Sequence, residues 1–407
     1  MAAESLQIRA AARLDEFFED RIGRHLKDRR KRESFALYAA GILGDGERKS
    51  VEPIASRACA EPDEVHNMHS KLLYFLGRSE WDDRAVRLEA ARYAIEAVER
   101  REPITTWIID DTGFLKQGNH SVGVQRQYTG SAGKIANCQI GVSLAVATSS
   151  EQIPLDFELY LPEKWANDAK LRKETRIPEE VEFETKIELA IDMVERAVDA
   201  GIPGQIILAD SAYGSSAEFR NAIRVMGFDF GVGVNANTKV VRLDNEGRPW
   251  GEAISVKELG EAMGKFRRVT WRRGTKSKLS SRFRFVRVKT THEDGVALAD
   301  REPLWLVIEW PAGEPAPSKY VLTTLPQRMS NKEIVRLFKE RWRIERMFED
   351  LKGELGLDHF EGRSYPGWHH HISVVLCCYA FVSAERVRDF PPSGGQIGGD
   401  DALHIAA

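Results

Sequence analysis

The pattern that most constrains this fold lies between residues 104 and 234, where apolar runs alternate with amphipathic stretches. "ITTWIIDD" is a short apolar run ending in acids, and "NCQIGVSLAVAT" reads as a buried strand. "FETKIELAIDMVERAVDAG" spaces its apolar residues by three and four, as an amphipathic helix does, and Gly201 is its expected stop. "GQIILAD" is a further buried strand, followed by "SSAEFRNAIRVMG" as helix and "FDFGVGV" as strand. Strands that alternate with helices predict an α/β core.

The flanks read differently. Residues 1–100 are expected to be helical, since "LDEFFEDRIGRHLKD" and "DDRAVRLEAARYAIEAVERR" carry the helical period. Between them, two short helices around a turn at Cys59 to Pro62 fit a helix-turn-helix that binds DNA, or an ordinary helical bundle. From 236 to 325 the helical signal fades and "RFRFVRVKT", "LWLVIEW" and "KYVLTT" read as strands of a β-rich insertion. "NKEIVRLFKERWRIERMFEDLKGELGL" predicts one long helix that returns to the core over 326–388. Residues 389–407 are expected to be a disordered tail. The organisation expected is thus 1–100 helical, 101–235 first part of the core, 236–325 insertion, 326–388 last part of the core.

Composition excludes several classes. No run of 18 apolar residues exists, so no membrane span is expected, and the N-terminus lacks the pattern of a secretory signal. Four scattered cysteines make neither a disulfide framework nor a Cys-x-x-Cys zinc site, which points to a reducing cytoplasm. The net charge of −3 does not by itself favour nucleic acid, so the distribution of charge has to decide. Lys265 to Lys289 holds eleven Lys or Arg and no acid, with Phe266, Trp271, Phe283 and Phe285 interleaved. Such a segment suits a phosphate backbone, through Arg267, Arg268, Arg272, Arg273, Lys276 and Lys278, with Trp271 available to stack on a base. A solvated charged hairpin is the plainer reading. In "GWHHHISVVLCC" three successive histidines point in different directions on a helix, so no metal site is expected there. Trp305 and Trp310 read as core.

Asp110 and Asp111 stand at the end of one buried strand and Asp210 at the end of another. Acids at the C-terminal ends of adjacent strands converge on one edge of an open sheet, where such folds bind ligands. Glu345 on the late helix could reach the same edge. Three carboxylates together repel one another unless a cation joins them, and hard oxygen donors suit Mg²⁺ or Mn²⁺. Two such ions would serve phosphodiester cleavage. A single Asp at a strand end can equally just cap the next turn or helix. A haloacid-type phosphatase is set aside, because its aspartates are separated by one residue and these are adjacent.

In "RWRIERMFEDLKGELGL", Arg341, Glu345 and Lys352 share one helical face, beside an apolar stripe of Ile344, Met347, Phe348, Leu351 and Leu355. The spacing alone allows a salt-bridged surface face. Phe338-x-x-Arg341-x-x-x-Glu345-x-x-x-x-x-x-Lys352 resembles the Tyr-Arg-Glu-Lys signature of bacterial insertion-sequence transposases of the DDE superfamily. "DDTG" and "LADSAYG" resemble the family's first- and second-aspartate strands, and "GVQRQYTGSAGKIANCQIGVSLA" resembles the segment after the first. Phe338 departs from the signature tyrosine. The resemblance covers roughly 100 to 365. It implies an RNase H-like fold with a β-strand insertion, and Asp110, Asp210 and Glu345 as catalytic metal ligands. Asp110 is favoured over Asp111 because it aligns as Asp-x-Thr with Thr112. It further implies that Arg341 and Lys352 contact DNA-end phosphates. The expected partners are double-stranded DNA, the terminal inverted repeats of its own element, target DNA, and a second copy on paired ends. The expected location is the bacterial cytoplasm, at the nucleoid. A nuclease of this fold without strand transfer, or a DNA-binding regulator derived from a transposase, remain the alternatives.

Overall fold

The computed structural model describes residues 2–273, 278–291 and 297–389. Helices come first: α1 (Ala2–Glu16), α2 (Arg29–Leu43), α3 (Val51–Ala58), α4 (Val65–Gly77) and α5 (Asp83–Val98). Strands β1 (Thr106–Leu115), β2 (Gln125–Thr129), β3 (Lys134–Ala147) and β4 (Gln152–Tyr160) follow. Then come α6 (Glu163–Asn167), α7 (Ala169–Thr175), α8 (Lys186–Asp199), β5 (Ile206–Ala209), α9 (Ser211–Gly214), α10 (Ala217–Val225) and β6 (Asp229–Gly233). The next stretch is strand-rich: β7 (Lys239–Leu243), β8 (Pro249–Ser255), α11 (Val256–Ala262), β9 (Arg267–Arg273), β10 (Lys278–Thr290), β11 (Leu304–Trp310) and β12 (Lys319–Thr323). Helices α12 (Asn331–Lys339), α13 (Trp342–Gly353) and α14 (Tyr365–Asp389) end the described chain. No described helix is long and apolar enough to cross a membrane. Of the tail expected over 389–407, Asp389 instead ends α14, and the residues from 390 onward lie outside the described residues.

Contacts divide the chain into two compact units, and the division does not follow chain order. The first holds the residues up to Ile104, Asp111–Leu189 and the described residues from Ile344 onward. Its centre is α14, whose middle from Val374 to Phe381 is apolar on every side; Ile372, Val375, Cys377 and Cys378 are fully buried. Such a helix has to be enclosed. It packs on α5, where Ala90, Ala91 and Ala94 permit close approach. The three histidines do point apart. His370 stacks on Trp81 at 4.0 Å, and the His371 ring lies between the Tyr38 hydroxyl (2.9 Å) and the Gly356 carbonyl (3.1 Å). The Nε2 atom of His369 is 3.3 Å from Glu158. A buried charge cluster lies beside them. Arg87, 1% exposed, meets Asp83, Asp156 and Glu158. Burial alone would lower its pKa, but the surrounding carboxylates overcome this and hold it above its ordinary value.

The second unit holds Thr105–Asp110 and Ala190–Arg343. It contains a large mixed sheet with the order β1, β5, β6, β12, β11, β10, β7, β8, and β9 pairs with β10. The first three strands are parallel and the rest antiparallel. The strands read as an insertion continue this sheet directly, because β12 pairs with β6 from Val321↔Gly233 to Thr323↔Gly231. Trp305 and Trp310 are half-buried instead of enclosed, each beneath an arginine: Arg287 at 4.9 Å and Arg282 at 4.0 Å from the ring centres.

Three readings need correction. The strand of "ITTWIIDD" does not end at its acids; β1 runs on to Leu115, because Thr112 to Phe114 are buried too. Helix α11 lies inside the stretch read as strand. Its signal is the Ser255-x-x-Glu258 capping box, in which each side chain bonds the other residue's backbone. The long helix after 326 is two helices. The Glu340 N–H bonds the Leu337 carbonyl, closing α12, and α13 starts at Trp342. No Gly or Pro breaks it there. The residues around the break are instead engaged elsewhere: Phe338 edges onto Phe283, Arg341 binds Asp110, and Trp342 receives Arg272.

Candidate active site

Asp110 and Asp210 both belong to the second unit. Strand β5 lies parallel to β1 in the register Thr106↔Ile206 to Ile109↔Ala209. Both strands are buried, with Ile108, Ile109, Ile207 and Leu208 inaccessible. The next residue on each is an aspartate. The two carboxylates therefore leave the same edge of neighbouring strands, which lie ~4.8 Å apart. Gly233 on β6 lets the backbone after Asp210 approach closely, since a methyl group on it would sit 2.9 Å from the Ser211 nitrogen.

Each aspartate already has a partner. The Asp210 Oδ1 atom accepts from the Ala212 N–H at 2.8 Å and so caps α9. An Asp110 oxygen accepts from the Arg341 guanidinium at 2.5 Å. Arg341, expected on a helix face with Glu345, stands outside α13, between the two helices. Phe338, in place of the signature tyrosine, is half-buried against Phe283.

Asp111 belongs to the first unit, and its Oδ2 atom meets Lys186 at 2.8 Å. Successive residues of a strand point to opposite faces, which gives the adjacent acids different neighbours. The sequence reading missed Lys186; it opens an obvious amphipathic helix, but nothing in the pattern links it to Asp111. Glu345 lies in the first turn of α13 and is exposed. The predicted apolar stripe is buried, from Ile344 to Leu351 on this helix and at Leu355 just past its end. Lys352, in the last turn, bonds Thr112, Gly113 and Ser131, and burial lowers its pKa. Among the described residues, no group of three or more His, Cys, Asp or Glu is arranged to hold a metal ion.

The basic stretch forms the hairpin β9–β10. Arg267, Arg268, Arg272 and Lys278 are exposed on it. Lys276 lies outside the described residues, as does the Arg273 side chain. The interleaved rings are engaged within the protein. Trp271 edges onto Phe283 and carries Lys339 at 4.7 Å, Phe266 packs on Trp310, and Phe285 on Trp305.

The two acids of β1 can be told apart by experiment. Asp110→Ala is expected to abolish metal-dependent DNA nicking. Asp111→Ala removes the pair with half-exposed Lys186 and is expected to keep nicking within about tenfold, because such pairs contribute ~1 kcal/mol or less. The reverse result in a nicking assay would make Asp111 the principal acid.

Sequence comparison places this chain in a family. A protein of Microchaete diplosiphon, described as a probable transposase for the insertion sequence element IS701, is 26% identical over 353 residues. The alignment covers 86% of this chain and 82% of that protein. The profile described as DDE superfamily endonuclease matches residues 21–278, a span that includes Asp110 and Asp210 and stops before Glu345. With more than half of its length matched, the chain belongs to the DDE superfamily of endonucleases.

Proposed function

We propose that this protein is a DNA transposase acting at the ends of an insertion element. The observation that carries this reading is that Asp110 and Asp210 directly follow Ile109 and Ala209, the last paired residues of two parallel strands. In the proposed reaction, the oxygen of a water attacks phosphorus at the element end and the bond to the 3′-oxygen breaks. That oxygen takes up a proton as a free 3′-hydroxyl. The hydroxyl then attacks a phosphodiester of target DNA and displaces its 3′-oxygen, so joining the strands.

DDE superfamily endonucleases generally use divalent metals, and the two strand-end carboxylates fit a hard cation. Mg²⁺ or Mn²⁺ would be held by Asp110 and Asp210. Glu345 is the third donor by its place in the signature, and two ions per site are proposed on the same ground. When bound, such a cation supplies the charge that favours hydroxide over water and offsets the leaving oxyanion. The chain's own groups prepare the site. Cap formation orients Asp210 through Ala212, and the Arg341 guanidinium orients Asp110.

DNA affinity is assigned to the exposed arginines of the β9–β10 hairpin. Neutralising Arg267, Arg268, Arg272 and Arg273 together is expected to weaken duplex binding. Each lost phosphate contact should flatten the log–log salt slope by about 0.9. An unchanged slope would make the hairpin merely solvated. The helical pair α3–α4 is proposed as the end-recognition element, with a homodimer on paired ends, in the bacterial cytoplasm at the nucleoid.

The deciding experiment incubates the full chain with Mg²⁺ and duplex DNA carrying the repeats that flank its gene. Nicked ends together with joined products support the transposase. Nicks alone would mean a nuclease, and binding alone a regulator.

A further inference from the structure

Lys352 has a different surrounding from that of a phosphate-binding lysine. Its ammonium lies 2.7 Å from the Thr112 hydroxyl, 2.8 Å from the Gly113 carbonyl and 3.2 Å from the Ser131 hydroxyl. An ammonium has three N–H donors, and three oxygens are in place to accept them. A phosphate could be reached only by giving up one of these bonds. The stem runs beside Phe114, whose ring centre is 5.4 Å from the nitrogen.

The oxygens are themselves tied together. Ser131, in the turn between β2 and β3, is 3.2 Å from the Thr112 hydroxyl and accepts from the Gly113 N–H at 3.2 Å. Gly113 permits this close approach: a methyl group there would lie 2.0 Å from the Thr129 hydroxyl. Thr112 is 5% exposed. One cation thus joins three segments of the first unit: the C-terminal turn of α13, strand β1 and the β2–β3 turn.

We infer that Lys352 is a positioning residue that locks strand β1 to the helix carrying Glu345, and that it does not hold DNA phosphate. Thr112 follows Asp110 by two residues and Asp111 by one. Lys352 follows Glu345 by seven residues, two turns along α13. Fixing Thr112 and Gly113 against α13 therefore fixes the backbone from which the strand acids project. Ser131 and Thr112 act with it as one unit. This inference rests on the transposase reading for the reaction it serves, but not for its geometry.

The test pairs two readouts on the full-length protein: the salt slope of binding to a duplex oligonucleotide, and the nicking rate as Mg²⁺ is varied. Lys352→Met is expected to leave the salt slope unchanged. Its nicking should fall about 10- to 100-fold, the usual effect of removing a group that orients a ligand, with more Mg²⁺ needed for half-maximal rate. The double variant Thr112→Val with Ser131→Ala should reproduce this loss and add little to Lys352→Met, since the three act together. Lys352→Arg should not restore nicking, because a planar guanidinium cannot present one nitrogen to three converging oxygens. A slope flattened by about 0.9 in Lys352→Met, restored by Arg, with the Thr112 and Ser131 variants silent, would overturn the inference in favour of a phosphate contact. If Lys352→Met does not fold, the Thr112 and Ser131 pair decides alone: normal nicking by it overturns the inference. Failure of the wild-type protein to nick would instead overturn the transposase reading, and the slope would still decide Lys352.

Discussion

Asp210→Asn is expected to bind duplex DNA as the wild type does and to nick it about a thousandfold more slowly or worse. The substitution separates the two roles that an acid in this position can have. As a cap, Asp210 needs only an oxygen to accept from Ala212, and asparagine supplies one about equally well. If capping were its whole contribution, Asp210→Asn would be nearly silent, while Asp210→Ala would cost ~1 kcal/mol of stability. As a ligand to a divalent cation it needs the charge, which asparagine lacks. Unchanged melting with lost cleavage is therefore the expected signature, and near-normal cleavage would remove Asp210 from the site. Glu345→Gln should behave alike. Its side chain is exposed in the first turn of α13, so the isosteric change should hardly move the melting temperature. Retained cleavage there would return Glu345 to the solvated face.

Arg87→Met has the largest expected effect on stability. Arg87 is 1% exposed and bonds Asp83, Asp156, Glu158 and the Ser373 hydroxyl. Methionine fills much of the space but leaves three carboxylates in a buried cluster without their central cation. Removing one partner of a buried ion pair typically costs about 3–5 kcal/mol, a large share of the ~5–15 kcal/mol that holds a domain folded. Urea denaturation should show the loss, and the exposed Arg29–Glu33 pair provides a control whose removal changes little. The pH dependence has a definite sign. Burial alone would raise Glu158, but His369, Arg87 and Arg84 hold it well below its ordinary value of 4.5. Its contribution is complete above that value and is lost as pH falls through the lowered native one. Without Arg87, Glu158 and Asp83 take up protons at higher pH, so the gap between variant and wild type should narrow on acidification. A gap that stays small at neutral pH would show that the cluster tolerates the missing cation.

What the sequence determined by itself was local and periodic. Alternating apolar runs were enough for the buried strands β1, β3, β5 and β6, because side chains alternate across a strand and a doubly covered strand must be apolar throughout. The three-four spacing was enough for α8, α10 and the apolar stripe of α13. It also placed Asp110 and Asp210 at matching positions, since both directly follow the buried core of a strand. What only the tertiary structure decided was which partner each polar group meets. Nothing between Lys339 and Trp342 breaks a helix by propensity, yet the chain breaks there, because Asp110, Phe283 and Arg272 claim Arg341, Phe338 and Trp342. Strand β1 runs past its acids because buried neighbours extend it to Leu115. The partners of Lys352 and Asp111 come from segments 240 and 75 residues away in the chain. Periodicity reports which face of an element is apolar; it carries no information about which distant residue a cation on the other face will find. That choice is made when helices and strands pack within each unit, since a buried or half-buried charge must be matched with whatever oxygen the fold brings within reach.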